Sequence, residues 1–471
     1  MTLFHLGVLK FRLLFQSMLN FDPGETKSSI EKFKRMLKTN MNFYFDAQEF
    51  EDIIVHYLSY GDNQLAKKAL QMGLQQHPSC HGLLLLQSEI YILDEKYDNA
   101  VKLLEYIEEI NPLDEEIALQ RASISSKKGD HKNSIKHLHH ALRISDDPSE
   151  IWNLLGMEYL LVENYNKASH FFKSCLSDNP EDYPSLYNLL HCYEKLNMDE
   201  AAIESLNKVL EFNPYCEVAW HQLGKVFLKS GEPEDALSAY EFAIISDDTF
   251  TGAYIEKGKL LELLGRLNEA ILNYELALKT TETSAFIQNS IGRCYEKLGN
   301  FDIAEEFYFK SVELEPTNEN CWESLIIFLT SQKKFKKAKL YLEKSLMING
   351  DSIELWKSNA ELCIELKKEN EIFKSCQKLF ALGYYESDII IKIIDFFLKK
   401  KDWKKAETLA ENAFSFCPNN RDLEIRIAGC YFYLNKIDEG TYLLNLNQME
   451  KKHKNKFFFL FPELENVIAK T

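Results

Sequence analysis

The side chains best placed for chemistry are a histidine cluster, a set of cysteines and a periodic column of basic residues. His137 and His140 lie three apart, with His139 between them and His131 upstream. On a helix His137 and His140 share a face and could offer two imidazoles to one ion. A metal site needs a further ligand, and the nearest acid, Asp130, falls at the preceding turn. The spacing therefore favours a solvated helix surface. The 10 cysteines include no CxxC pair, which argues against a disulfide scaffold or a zinc ribbon. There is no Gly-rich phosphate loop, HExxH, GxSxG or DxDxDG calcium loop. The sequence reads as non-catalytic, with no metal or other cofactor called for.

Composition bounds what could position such residues. The chain has 471 residues, with 45% hydrophobic and 27% charged. That mix excludes a disordered tail and a polytopic membrane protein. Gly (18) and Pro (11) are at about half their usual share, and Val occurs only 9 times. Few turn formers and many helix formers point to an all-α chain. The net charge of −17 repels phosphate backbones, so nucleic acid is not an expected partner. A reducing, cytoplasmic location fits the free-cysteine pattern. Residues 3–15 are apolar but interrupted by Lys10 and Arg12. They are too short to span a bilayer and carry no basic residue before the run. They read as a packing helix, or as an extension upstream of a start at Met18, rather than a signal peptide. No membrane insertion is expected.

A 34-residue period organises the rest. Pro78 and Pro112 are 34 apart, as are Pro180 and Pro214, and Pro316 and Pro418 fall on the same grid. Twelve blocks run from Ala47 to Lys454 without an insertion. The twentieth position of each holds Ala66, Ala100, Ser134, Ala168, Ala202, Ala236, Ala270, Ala304, Ala338, Ile372, Ala406 and Gly440. A small residue there lets two helices cross closely. Position 8 supplies a small residue facing it, as at Gly156, Gly224, Gly258 and Gly292. Position 4 holds Trp152, Trp220, Tyr254, Trp322 and Trp356. Positions 4, 7, 8 and 11 share one helical face and form the buried stripe of a first helix; 20, 24 and 27 do so on a second. Gly or Asn near position 15 suits a helix C-cap. Cys192, Cys294 and Cys430 take position 10, and Cys175, Cys363 and Cys376 sit on buried stripes, so the thiols read as packing.

The pattern resembles the tetratricopeptide repeat family, on Trp152, Leu155, Gly156, Tyr159, Ala168, Phe172 and Pro180 in the fourth block. Trp220 to Ala243 in the sixth block and Ile291 to Pro316 in the eighth repeat it. The likeness covers about residues 47–454 and extends to multi-repeat bacterial scaffolds of that kind. Blocks one, two, ten and twelve depart most, and the tenth has Ile372 and Cys376 where alanine and an aromatic are expected. The resemblance implies an α-solenoid of about twelve helix-turn-helix repeats wound into a right-handed superhelix. It implies partner binding on the concave face lined by the first helices. The family's clamp for chaperone carboxylates needs Lys at position 5 with Asn at 9. No block has both: Lys357 is followed by Glu361.

Positions 2, 5, 9, 12 and 13 point into that groove. Position 9 reads His191, Lys225, Lys259 and Arg293 in blocks five to eight. Position 13 adds Lys195, Lys229 and Lys297, and position 5 adds Tyr187, His221 and Asn289. This column could grip an acidic segment. The competing expectation is neutralisation within each helix, with Glu194, Glu262 and Glu296 three residues after His191, Lys259 and Arg293. Lys225 and Lys229 have no such partner. The lysines of 333–339 and 399–405 read as solvating charges. The expected organisation is a short apolar segment (1–20), an N-terminal capping helix (21–46), twelve repeats (47–454) and a C-terminal capping helix (455–471), with Pro462 starting a last helix. The expected function is a scaffold or adaptor binding other proteins or peptides. The alternatives are a ligand- or peptide-responsive regulator and a non-catalytic subunit of an enzyme or envelope-biogenesis complex. The sequence does not fix the oligomeric state.

Overall fold

The computed structural model describes residues 23–39, 43–281, 283–385, 387–444 and 451–464. Among these, the regular elements are twenty-six α-helices and one 3-10 turn, with no strand. First helices begin at Ala47, His81, Glu115, Ser149, Tyr183, Glu217, Thr251, Ala285, Glu319, Ile353, Ser387 and Arg421, always 34 residues apart. Each is followed by a second helix, from Asn63–Gln76 in the first pair to Ile437–Leu444 in the last. The chain divides into two compact units, Met1–Gly231 and Glu232–Thr471. Each is an α-solenoid of helical hairpins. The expected segment 1–20 lies outside the described residues, as do 465–471.

Local chemistry makes the hairpins. Asp46 and Glu49 form a reciprocal capping box at Ala47–Ser59. Asp62, Asp130, Asn164 and Asp402 each accept a backbone N–H at the start of a second helix. Between the helices of every pair, position 15 is left-handed. Glycine or asparagine fills it in seven pairs, as the C-cap signal predicts, but Glu95, Glu163, Lys333, Lys367 and Lys401 adopt it too. The turn imposes this conformation through paired hydrogen bonds. The Gly129 and Asp130 N–H groups donate to the Ser126 and Ser125 carbonyls, both at 2.9 Å. Lys333 and Lys334 donate in the same way to Thr330 and Leu329, at 2.9 and 2.8 Å.

The core repeats a size-matched contact. The Ala66, Ala100, Ala168, Ala270, Ala304, Ala338 and Ala406 side chains are wholly buried. Position 8, however, is small because of position 24, not position 20. A Cβ on Gly156 would come 2.7 Å from the Phe172 ring; on Gly258 it would come 2.8 Å from Tyr274, and on Gly292 3.1 Å from Tyr308. Phe172, Tyr274 and Tyr308 are each at most 1% exposed. In the tenth pair Ala360 and Cys376 fill the equivalent positions, fully buried with Ile372, so the departure from pattern replaces the ring by a small thiol and the glycine by a larger facing alanine. The tryptophans at position 4 have a polar role as well. Trp220, Trp322 and Trp356 donate their indole N–H to the carbonyls of Pro214, Pro316 and Gly350, at 2.8, 2.7 and 2.8 Å. Each pins the linker entering its own repeat, and Trp220 and Trp356 are accordingly half-buried rather than buried.

At one end, Pro23–Thr39 seats Ile30, Phe33 and Met36 against Phe45, Phe50 and Tyr57. At the other, Lys451–Leu460 buries Phe457 within the last apolar cluster, with Phe461 following it. Trp403 and Tyr433 stack at 4.0 Å beside Phe461. This helix starts inside the twelfth block, and Pro462 opens only a three-residue 3-10 turn, Pro462–Leu464.

Candidate functional site

The first-helix column of cations is the constellation to test against geometry. In the first unit, Tyr187 is 45% exposed, and burial of its remaining surface pushes its hydroxyl pKa up. His191 is exposed and meets the Tyr165 ring edge-on at 6.2 Å. His221 is half-buried beside Gln222. Lys195 and Lys225 are exposed, and neither has an ion pair among the described residues. Lys229 differs from expectation. Its ammonium reaches Asp199 of the preceding pair at 2.7 Å, because stacking places that second helix within reach of the end of this first helix.

In the second unit the column is tied into the protein. Lys259 pairs with Glu256 at 2.8 Å and lies 5.1 Å over the Phe286 ring. Arg293 makes a forked contact with Glu262 at 3.2 and 3.1 Å, and Lys297 reaches the same carboxylate at 2.9 Å. Asn289, expected in the groove, is 5% exposed and receives an Arg293 N–H at 3.4 Å. Glu296 instead accepts the Tyr308 hydroxyl at 2.7 Å. Lys259 is therefore neutralised within its helix, though by Glu256 rather than Glu262, while Arg293 and Lys297 pair between repeats. An offset of 31 residues brings Glu262 and Arg293 onto facing turns of stacked helices, which a three-residue offset on one helix does not do for this pair. Burial pushes the Glu262 carboxyl up, but Arg293 and Lys297 outweigh it and hold the pKa below the usual range.

Other candidates resolve the same way. Glu305 is 8% exposed and is clamped by Lys334 and, at 2.8 Å, by Lys337. Lys339 is held by Glu371 at 2.5 Å and by Asn359 at 3.0 Å. These lysines, expected to be solvating, are inter-repeat clamps. Lys436 binds Glu407 at 2.6 Å with the Lys334–Glu305 spacing of 29 residues. Arg426, 3% exposed, takes a bidentate grip on Asp395 at 2.7 and 2.8 Å. A charge pair recurring near 30 residues in a 34-residue array was the available signal for all of these.

The histidines also disperse. His131 meets Glu158 of the next pair at 2.9 Å, the carboxylate that the same-helix search lacked. His139 bonds the Tyr159 hydroxyl at 3.1 Å. Among the described residues no group of three or more metal-ligating side chains is arranged around one point. Eight of the ten free cysteines are buried. Burial pushes the thiols of Cys192, Cys294 and Cys363 up to about 11, and those of Cys376 and Cys430 up to about 12.

Family models described as tetratricopeptide repeat match residues 149–182, 183–216 and 287–318, and a second such model matches 221–285. The first two matches coincide with the fourth and fifth blocks. A "TPR repeat-containing protein" of Methanocaldococcus jannaschii is 22% identical over 444 residues, covering 91% of this chain and 70% of that protein. The "BBSome complex member BBS4" of Bos taurus is 24% identical over 57% of this chain; the chain spans about half (51%) of its length. A solved structure described as "APC/C hetero-tetramer Cut9-Hcn1" is matched over 87% of this chain and 93% of that chain, at 13% identity and a TM-score of 0.35. The relatives span archaea and eukaryotes, and a bacterial one is also matched, so they single out no bacterial group. Among the described residues no helix is long and apolar enough to cross a membrane.

Proposed function

We propose that this chain, a tetratricopeptide-repeat protein, is a non-catalytic interaction scaffold or complex subunit whose first unit grips an acidic peptide segment. The gripping face is that of the fifth and sixth first helices, Tyr183–Leu196 and Glu217–Lys229. One observation carries the acidic specificity. Lys195 and Lys225 stand exposed, with no ion pair among the described residues, in a chain of net charge −17. Nearly every other cation on the column is already engaged. Tyr187 and His191 beside them supply ring faces and hydrogen bonds. Lys259, Asn289, Arg293 and Lys297, in contrast, support the stacking of the second unit. The relatives named as members of multi-subunit complexes support the scaffold or subunit reading over the ligand-responsive one.

Reversing Lys195 and Lys225 to Glu tests this. Native-extract capture followed by mass spectrometry should show a stoichiometric partner with the wild type and its loss with the double variant. Affinity for that partner should fall at least tenfold, and wild-type binding should weaken as salt rises. Unchanged capture by the double variant would remove the acidic-segment reading.

A further inference from the structure

The last repeat carries a cavity that the first-helix column does not explain. It has a volume of about 670 Å³ and is walled by the chain from Phe416 to Asp422 and by Lys452, His453 and Lys456. The linker before Arg421–Tyr433 forms one side, and the helix Lys451–Leu460 forms the other. Its charge is opposite to that of the molecule. Arg421, Lys452 and Lys456 are permanent cations and His453 is a titratable base, against Asp422 as the one carboxylate in the wall. The chain carries 72 acidic and 55 basic residues, so this local reversal is not the general surface.

The cations are held in place by the protein. Lys456 reaches Asp422 at 2.6 Å. Arg421 is ion-paired with Glu424 and held by the Leu444 carbonyl at 3.4 Å, so its charge is partly offset and, among the described residues, Lys452 is the unpaired lysine of the wall. Asp422 is consequently neutralised: burial pushes its carboxyl up, but Lys456, Arg426 and His453 bring its pKa below the usual range. The helix N-terminus here is already satisfied, because Asn420 accepts the N–H groups of Asp422 and Leu423. Any attraction for an anion therefore comes from the side-chain cations. Lys452 is exposed and has no ion pair among the described residues, so it is available to a ligand. Phe416 at the rim is 60% exposed and stacks on Tyr385 at 3.7 Å, which keeps an apolar face rigid beside the charges.

We propose that this cavity docks an acidic peptide segment of a protein partner, its carboxylates meeting Lys452 at the mouth, with the Arg421–Glu424 pair beside it, and a neighbouring apolar side chain covering Phe416. A single carboxylate ion would leave most of 670 Å³ empty and Phe416 uncovered. A segment of several residues fills the space and matches both the charge and the ring. The site rests on residues separate from the first-unit column, so either reading can fail alone.

The test uses the full chain and a labelled twelve-residue Asp/Glu peptide containing one leucine. A zero-length carbodiimide reagent should join its carboxylates to Lys452 or Lys456, identified by mass spectrometry. Binding should weaken with salt and fall at least tenfold at this site in Lys452→Glu, whereas Lys195→Glu/Lys225→Glu should leave the Lys452 cross-link intact. Lys452→Gln, should the reversal not fold, should give a smaller loss in the same direction, and Phe416→Ala should weaken the leucine peptide more than one with alanine there. The proposal is overturned if cross-links form only in the first unit, or if Lys452→Glu binds as the wild type does. It is equally overturned if inorganic phosphate or phosphatidylserine vesicles bind while the peptide does not.

Discussion

Glu116 in the first unit and Glu262 in the second are both carboxylates on first helices, Glu116 buried and Glu262 half-buried with its side chain largely covered. Their surroundings are opposite. Glu262 is gripped by Arg293 and Lys297 of the next repeat. Glu116 has no ion pair among the described residues; its hydrogen bond is a donation from Gln120 at 3.1 Å. Burial, reinforced by Glu89, Asp114 and Glu115, pushes the Glu116 carboxyl up to about 8, against the lowering effect of Gln120. Deeper burial without a cation leaves the Glu116 carboxyl protonated at neutral pH, while Glu262, less buried and paired, is ionised. What separates them is the depth of burial and whether stacking delivers a cation from about 30 residues away. A related contrast runs through the cation column: Lys195 and Lys225 on the fifth and sixth first helices have no ion pair among the described residues, although Lys229 on the sixth meets Asp199, whereas Lys259, Arg293 and Lys297 on the seventh and eighth are all engaged.

The largest expected effect tests Glu116. Its folded pKa is raised, so below its ordinary value of 4.5 the carboxyl is protonated whether folded or unfolded. Between there and about 8 the unfolded chain ionises first, and the first unit loses stability as pH rises. Glu116→Gln should remove that slope and stabilise the first unit at pH 8 by on the order of 2–4 kcal/mol. Hydrogen exchange of residues 81–127 at pH 5 and pH 8 would report it. Equal protection at both pH values in the wild type would erase the contrast.

Glu262→Gln comes next, with the opposite sign. A lowered folded pKa gives stability that is present above the ordinary carboxylate range and lost as pH falls below it. Because Arg293 and Lys297 are 37% and 52% exposed, the full cost of breaking a buried pair is discounted to about 1–2 kcal/mol at pH 7. Urea unfolding of the second unit should show this loss at pH 7 and its shrinking as pH falls below the ordinary carboxylate range. Destabilisation that persists at low pH would mean that the side chain packs rather than pairs.

The hairpin turns should not distinguish the units at all. Glu163 and Lys333 both hold left-handed backbone on exposed turns. Replacing either by glycine should relieve strain and stabilise its unit by up to about 1 kcal/mol, read as a shift in thermal midpoint. A gain in one unit only would show that the turns too have diverged.

The smallest effect belongs to Lys225→Glu, which should change stability by no more than about 0.5 kcal/mol, as exposed and unpaired side chains do. Arg293→Glu would set two negative groups against each other and should cost several times that. If both reversals proved equally mild by urea titration, the second unit's pairs would be as loose as surface contacts.

Much of this architecture was legible residue by residue. The alanine column placed every helix pair, and the glycine and asparagine signals located a turn that even Lys333 and Glu163 then obey. Several charge assignments went astray: Lys259 pairs with Glu256 rather than Glu262 on its helix, Arg293 reaches across to Glu262 rather than to Glu296, and Lys334 and Lys337 meet Glu305 rather than solvent. Gly258 was read against the alanine of the second helix, when the Tyr274 ring is what it accommodates.

Helices, caps and left-handed turns are made by hydrogen bonds spanning at most five residues. A sequence that repeats every 34 residues therefore determines them directly, and with them the number and order of the hairpins. The partner of a charge is a different kind of fact. It depends on which turns of two hairpins are brought face to face when each buries its apolar stripe against the next. Only that packing decided that Glu262 would meet two cations, that Glu116 would meet none, and that Lys225 would be left to the solvent.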